Sequence, residues 1–239
     1  MKCKATISYD GADFYGSQSQ LDGVKTINQT IQNTLKKFNI DSKIVASGRT
    51  DRGVHAQNQV IDFNLPEFWQ DLPKLKELLN RSLYPSIMVK KLEFADESFH
   101  ARYSTKARVY RYIIKTTPPT PFEARYVAYI KDANFEAIKR NISAFIGVWD
   151  FSNFFKKGSD TKTTTREVYR AFAYRYKGYI VLNFEANGFL RSQVRLMSAA
   201  LTKLDKTQMV QMLELKKSYK LQPAPPEGLY LAKIKYNRG

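Results

Sequence analysis

The chain has a single cysteine, Cys3, in 239 residues. No intrachain disulfide can form, which suits a reducing, cytoplasmic setting. Two histidines, His55 and His100, leave no Cys/His set with zinc-ligand spacing, so no metal is expected. No stretch approaches the ~20 consecutive apolar residues of a membrane span. The opening Met1-Lys2-Cys3-Lys4 runs straight into an alternating pattern, without the apolar block of a secretory signal. A phosphate-binding glycine loop and a dinucleotide fingerprint are missing too. What remains is 43% hydrophobic and 13% aromatic. That is enough to bury a sizeable core, as one large domain or two closely joined ones.

Acidic residues are scarce in one part of the chain. The net charge is +17. Residues 1–100 hold 13 Lys/Arg and 12 Asp/Glu, whereas residues 101–239 hold 26 and 10. A fold does not need that asymmetry. A polyanionic partner rewards it, because Lys and Arg displace counterions condensed on phosphates. Nucleic acid is the expected partner.

The first part parses into regular elements. Lys2–Tyr9 alternates, with Cys3, Ala5, Ile7 and Tyr9 on one face, as in a half-buried strand. Thr26 can cap a helix whose Ile27, Ile31, Leu35 and Phe38 share a stripe. Strands follow at 43–47 and 57–63, a helix through Leu72, Leu75, Leu78 and Leu79, and a strand at Ile87–Phe94. The order β-α-β-β-α-β is that of a ferredoxin-like unit. The second part repeats it loosely. Strands are expected at 108–115 and 125–130, and a helix through Phe135, Ile138, Ile142, Phe145 and Ile146. A hairpin of Thr165–Tyr176 and 179–185 turns at Lys177-Gly178. Helices are expected at 188–204 and 208–215, and a closing strand at 229–236. The fold class is therefore α+β. Two ferredoxin-like (RRM-like) halves, 1–103 and 104–239, are expected to join their mostly antiparallel sheets and leave an active-site cleft between them. Residues 147–164, with Lys156, Lys157 and Lys162, show no pattern and read as a long basic loop, a lid or a surface insertion.

The ten residues Ser47-Gly48-Arg49-Thr50-Asp51-Arg52-Gly53-Val54-His55-Ala56 read as a loop between strands, with one acid between two arginines and a glycine on either side. Composition alone favours a polar turn in which Asp51 caps amides or pairs with Arg49 or Arg52. Further on, Ala107-Arg108-Val109-Tyr110-Arg111-Tyr112 alternates basic and aromatic residues. On a strand this sets Val109 and Arg111 on one side and Arg108, Tyr110 and Tyr112 on the other. A tyrosine among arginines can stack on a base while the arginines hold phosphates. In Gly188-Phe189-Leu190-Arg191-Ser192-Gln193-Val194-Arg195-Leu196-Met197, an apolar stripe predicts a helix with Arg191 and Arg195, four apart, on one face.

These strings resemble the motifs of the TruA-type tRNA pseudouridine synthases. The acidic loop is similar to Gly-Arg-Thr-Asp-Ala-Gly-Val-His, departing only at Arg52. The strand is similar to Ala-Arg-x-Tyr-Arg-Tyr. The third string is similar to Phe-x-Arg-His-Met-Val-Arg, with Ser192-Gln193 in place of His-Met. Tyr9-Asp10-Gly11-Ala12-Asp13-Phe14-Tyr15-Gly16 resembles the family's opening, with Ser17 where tryptophan is usual. Asn80-Arg81-Ser82-Leu83-Tyr84-Pro85, Asp150-Phe151-Ser152-Asn153-Phe154 and Pro226-Glu227-Gly228-Leu229-Tyr230-Leu231 extend the likeness over most of the chain.

The resemblance implies conversion of uridine to pseudouridine at positions 38, 39 and 40 of the tRNA anticodon stem–loop, without cofactor or metal, by a homodimer. It implies Asp51 as nucleophile, Arg195 as its ion-pair partner, Tyr110 stacked on the base and Leu229 against it. Arg49, Arg52, Arg191, His55, Arg108 and Arg111 are the further candidates for holding the RNA. A catalytically silent RNA-binding module explains charge and aromatics equally well, but not an acid in the most basic-flanked loop. A metal-dependent nuclease would need a convergent carboxylate cluster that the sequence does not offer.

Overall fold

The computed structural model describes residues 1–20, 23–158 and 161–236. In chain order its elements are β1 (Lys2–Tyr9), α1 (Ile27–Lys36), β2 (Val45–Ala46), β3 (His55–Asn64), α2 (Leu72–Leu83) and β4 (Ile87–Phe94). Then come β5 (Ala107–Lys115), β6 (Ala128–Tyr129), α3 (Phe135–Asn141), β7 (Gly147–Asp150), β8 (Thr165–Tyr176), β9 (Tyr179–Ala186), α4 (Gln193–Lys203), α5 (Lys206–Leu213) and β10 (Leu229–Lys235). Short 3-10 turns cover Ile142–Phe145, Ser152–Phe154 and Pro226–Gly228. The result is a mixed α+β fold with a mostly antiparallel sheet. Two compact units divide the chain: Met1–Lys106 with the residues from Leu231 onward, and Ala107–Tyr230.

In the first unit β1 is central. It pairs antiparallel with β4 on one side and β3 on the other, and β2 pairs with β3. The Leu231–Lys235 part of β10 also lies along β3, where the Asn58 side chain donates to the Ala232 carbonyl at 2.7 Å. Strict alternation buries Cys3, Ala5, Ile7 and Tyr9. Helix α1 starts where Thr26 accepts from the Gln29 amide, and α2 where Asp71 accepts from Lys74. Such side-chain acceptors satisfy amides that a helix leaves unpaired at its start. Ile27, Ile31 and Leu35, then Leu72, Leu75, Leu79 and Leu83, form the buried stripes.

In the second unit β9 lies between β5 and β8, antiparallel to both. Strand β7 pairs antiparallel with β8, and β6 parallel with β5. The β8–β9 hairpin turns through Lys177 (φ +46°) and Gly178 (φ +83°), the doubly left-handed turn that matches strand twist. Every residue of β9 after Tyr179 is buried.

Several expectations need correction. The strand expected at 43–47 pairs only at Val45–Ala46. Strand β3 begins at His55, so the last two residues of the acidic string belong to a strand, not to the loop. The strand expected at 125–130 reduces to Ala128–Tyr129. Helix α3 ends at Asn141 and tightens into a 3-10 turn. Residues 147–164 are not one long loop. Strand β7 pairs Gly147–Asp150 with 165–168, and Phe151 and Phe154 are fully buried. Only the stretch after Phe155 remains irregular, and of it Ser159 and Asp160 lie outside the described residues. Helix α4 starts at Gln193, five residues later than expected, because Ser192 sits at φ +58° outside the helical region. Arg191 therefore precedes the helix and does not share a face with Arg195. On β5, Val109, Tyr110 and Tyr112 are buried and Arg111 is exposed. Among the described residues, no helix is long and apolar enough to cross a membrane.

Candidate active site

The acidic loop is held by polar side chains from strands β1 and β3 and from the segment between β1 and α1. Ser47 donates its hydroxyl to Gln59 Oε1 at 2.6 Å, and its amide bonds the Val60 carbonyl. The same Gln59 donates from Nε2 to the Gly48 carbonyl at 2.7 Å. Ser17 clamps Thr50 twice: its Oγ accepts the Thr50 amide at 2.8 Å, and its own amide donates to the Thr50 carbonyl at 3.1 Å. The Thr50 and Tyr9 hydroxyls bond at 2.8 Å. Burial pushes the Tyr9 phenol up to about 12, so it stays neutral and serves as a strut. Thr50 is 7% exposed, and the next residue, Asp51, emerges half-buried at the tip. Arg49 and Arg52 on either side are exposed.

Backbone chemistry completes the clamp. Of the two glycines bracketing the acid, only Gly53 uses its freedom, at φ +77°, just after the turn. Gly11 acts by close approach, since a Cβ there would run into the Val54 carbonyl. Beside it, the Gly11 amide lies 3.1 Å from His55 Nδ1, and Asp10 Oδ1 lies 3.2 Å from the same nitrogen. An Nδ1 that accepts the Gly11 N–H cannot also donate to Asp10. The amide hydrogen is fixed by the backbone, so we assign Nδ1 as the acceptor. His55 is buried under the loop. A groove of about 430 Å³ in this unit is lined by Tyr9, Asp10, Ala56, Asn58, Met88 and Lys90 among others; Asp51 is not part of its wall.

The second unit carries the remaining candidates. Tyr110 on β5 lies opposite Phe184 in register and is 6% exposed; its ring meets Phe189 edge-on at 5.3 Å. Arg195 on α4 is half-buried. Its Nε donates to the Ala224 carbonyl at 2.7 Å, and its own carbonyl accepts the Ala224 amide at 3.1 Å. Tyr112 donates to the Pro225 carbonyl at 2.9 Å. Burial raises the Tyr112 hydroxyl, the Glu227 carboxylate adds to the rise, and the Arg195 guanidinium offsets part of it. Arg195, Tyr112 and the 224–227 turn thus form one neighbourhood, and Leu229, 6% exposed, begins β10 just past it. Arg108 reaches the Asn187 carbonyl at 3.0 Å. Arg111 is exposed on β5. Arg191, also exposed, accepts the Lys156 amide through its carbonyl.

Gln193 explains how the segment before α4 is shaped. It is fully buried; its Oε1 accepts the Leu190 amide at 2.8 Å and its Nε2 reaches the Met197 sulfur at 3.7 Å. The two positions that depart from the family string, Ser192 and Gln193, thus build the turn that feeds Arg195 into its helix. Sequence reasoning missed Ser17, Gln59 and Gln193 as scaffold. Their partners lie 33, 12 and 3 residues away. Buried polar residues of this kind carry no periodic signal.

The likeness of the three strings extends to whole proteins. A family model described as tRNA pseudouridine synthase matches residues 5–104 and 142–237. The chain belongs to the tRNA pseudouridine synthase family. A tRNA pseudouridine synthase A of Wolinella succinogenes is 39% identical over 237 residues, covering 97% of this chain and 93% of that protein. Those of Campylobacter jejuni and Helicobacter pylori are 36% and 37% identical, and each is covered over its full length. Asp51 and Arg195 fall within the matched segments of the family model, whereas Tyr110 lies between them.

Proposed function

We propose that this chain isomerises uridine to pseudouridine in tRNA, at positions 38, 39 and 40 of the anticodon stem–loop, with Asp51 as the catalytic carboxylate. Membership of a tRNA pseudouridine synthase family supports the reaction. The observation that carries the residue is the contrast at the loop tip: Thr50 is locked by buried hydrogen bonds, while the next residue, Asp51, is only half-buried and lies between two exposed arginines.

The reaction breaks the N1–C1′ bond, turns the uracil and forms a C5–C1′ bond. N1 gains a proton and C5 loses one, so the sum is an isomerisation. Asp51 either attacks as a nucleophile or takes a ribose proton on a glycal route. Its target must leave the base stack to be reached. On this reading the two halves are ferredoxin-like, the reaction occupies the cleft between them, and the enzyme works as a homodimer. Arg195 is the ion-pair partner of Asp51. Tyr110 stacks on the base and helps take the C5 proton; Leu229 packs against the base. Arg49, Arg108, Arg111 and Arg191 grip the RNA backbone, and His55 supports the loop from below.

Tritium release from 5-labelled uridine in tRNA tests the assignment. Asp51→Asn is expected to lower turnover by several orders of magnitude while tRNA affinity stays within a few-fold. Full activity would remove Asp51 from the chemistry. Binding lost in parallel would make it a structural residue.

A further inference from the structure

Arg52 follows the candidate nucleophile directly, and its surroundings are unusual for an arginine. Its guanidinium lies over the Tyr15 ring, 4.2 Å from the centroid. Tyr15 is itself 46% exposed. Among the described residues, Arg52 has no hydrogen bond or ion pair, and the Tyr15 hydroxyl has no hydrogen-bond partner. An arginine beside an aspartate would ordinarily spend its donors on a carboxylate. This one is held by a ring instead.

The ring is held in turn. Phe14 before it is buried, the Tyr15 amide donates to the Lys25 carbonyl at 2.9 Å, and the Tyr15 carbonyl accepts from Gln20 at 2.8 Å. Two residues on, Ser17 bonds Thr50 through both its amide and its hydroxyl. Thr50 lies two residues before Arg52. This pair of hydrogen bonds between Ser17 and Thr50 therefore holds the segment that carries Tyr15 beside the segment that carries Arg52.

A guanidinium stacked on a ring has one face covered, while its N–H donors remain in the guanidinium plane. That fork matches two oxygens of a phosphate. A carboxylate at a loop tip repels the phosphates flanking any nucleotide brought to it, and an adjacent cation offsets the repulsion. We propose that Tyr15 and Arg52 form a preset phosphate clamp beside Asp51. Arg52 grips a backbone phosphodiester next to the target uridine, and Tyr15 is the positioning residue that aims it. The clamp rests on the reading of Asp51 as the catalytic carboxylate of a tRNA-modifying enzyme.

The test uses the full chain with an unmodified tRNA transcript. It measures kcat and KM by tritium release, and tRNA affinity across a salt series. Both residues are exposed, so the variants should melt like the parent, which circular dichroism checks. Arg52→Ala is expected to raise KM about tenfold with kcat within about twofold. The slope of log affinity against log salt should shrink by ~0.7–0.9, the share of one phosphate. Arg52→Lys should keep the slope and recover only part of the affinity. Tyr15→Ala should give part of the Arg52→Ala loss and add nothing in its background, and Tyr15→Phe should restore parent behaviour. An unchanged slope in Arg52→Ala overturns the clamp. So does a fall in kcat at constant KM, which would put Arg52 on Asp51 rather than on phosphate. A further loss from Tyr15→Ala in the Arg52→Ala background would uncouple the pair. If the parent chain releases no tritium, the proposed function fails; the salt slope still decides the clamp, because it is read from binding alone.

Discussion

Thr50 and Asp51 are neighbours with opposite surroundings. The amide, carbonyl and hydroxyl of Thr50 are each bonded to a group from another segment and the residue is buried, whereas Asp51, whose carbonyl accepts the Val54 amide, is half-buried at the tip. A reactive side chain is held in productive geometry when the backbone beside it is rigid. Ser17 is the test. Ser17→Ala removes the acceptor of a buried amide, and such an orphaned donor costs about 1–3 kcal/mol. The expected outcome is a lower unfolding midpoint by chemical denaturation, together with a fall in kcat larger than any rise in KM. An unchanged kcat would mean that the loop holds its shape without Ser17. Asp51 stands out in the sequence because its neighbours form a string. Ser17 does not, because its role depends on a partner 33 residues away.

At the scale of elements, legibility follows whether the cause is local. Strands β1, β4 and β8, and the start of α1, come out at their expected bounds because period, cap and turn residues sit within each element. Strands β2 and β6 are each only two residues long, which no alternation can mark. The edge strand β7 has no buried residue, so it lacks the apolar signature of a strand. The start of α4 is set by a side-chain amide and a left-handed serine. Glu123 is another device without a periodic signal. It accepts from Lys115 of β5 at 2.7 and 2.9 Å, from Tyr179 of β9, and from Thr120 of the intervening loop. The Lys115 bonds foremost, then those of Tyr179 and Thr120, hold its carboxyl below the usual carboxylate range. A carboxylate whose value is depressed on folding adds stability that is present above its unfolded value, about 4.3, and is lost as pH falls through its folded value. Glu123→Gln should therefore melt below the parent at pH 7, and the gap should close as pH drops below about 4. A gap that persists undiminished in acid would show that Glu123 acts through packing rather than charge.

Over the whole molecule, the distribution of charge looks different once the two compact units are counted. The unit of residues 1–106 and 231–239 holds 18 Lys/Arg against 12 Asp/Glu, and residues 107–230 hold 21 against 10. The closing strand β10 and the residues around it return basic charge to the first unit. A division of the sequence near residue 100 therefore exaggerates the asymmetry, and both units carry a basic surplus. Polyanion binding drawn from both surfaces should be strongly salt-dependent, because each phosphate neutralised releases counterions at ~0.7–0.9 per contact in the log–log slope. We expect tRNA affinity, measured by filter binding between low and moderate salt, to fall with a slope of several units. Charge-reversed variants should then separate the contributions. Replacing Lys156 and Lys157 with glutamate in the second unit, and Lys90 and Lys91 in the first, should each flatten the slope if both surfaces meet the RNA. A slope reduced by only one pair would confine the RNA to that unit's surface. A flat response in the parent protein would mean that its basic surplus is not used on phosphate at all.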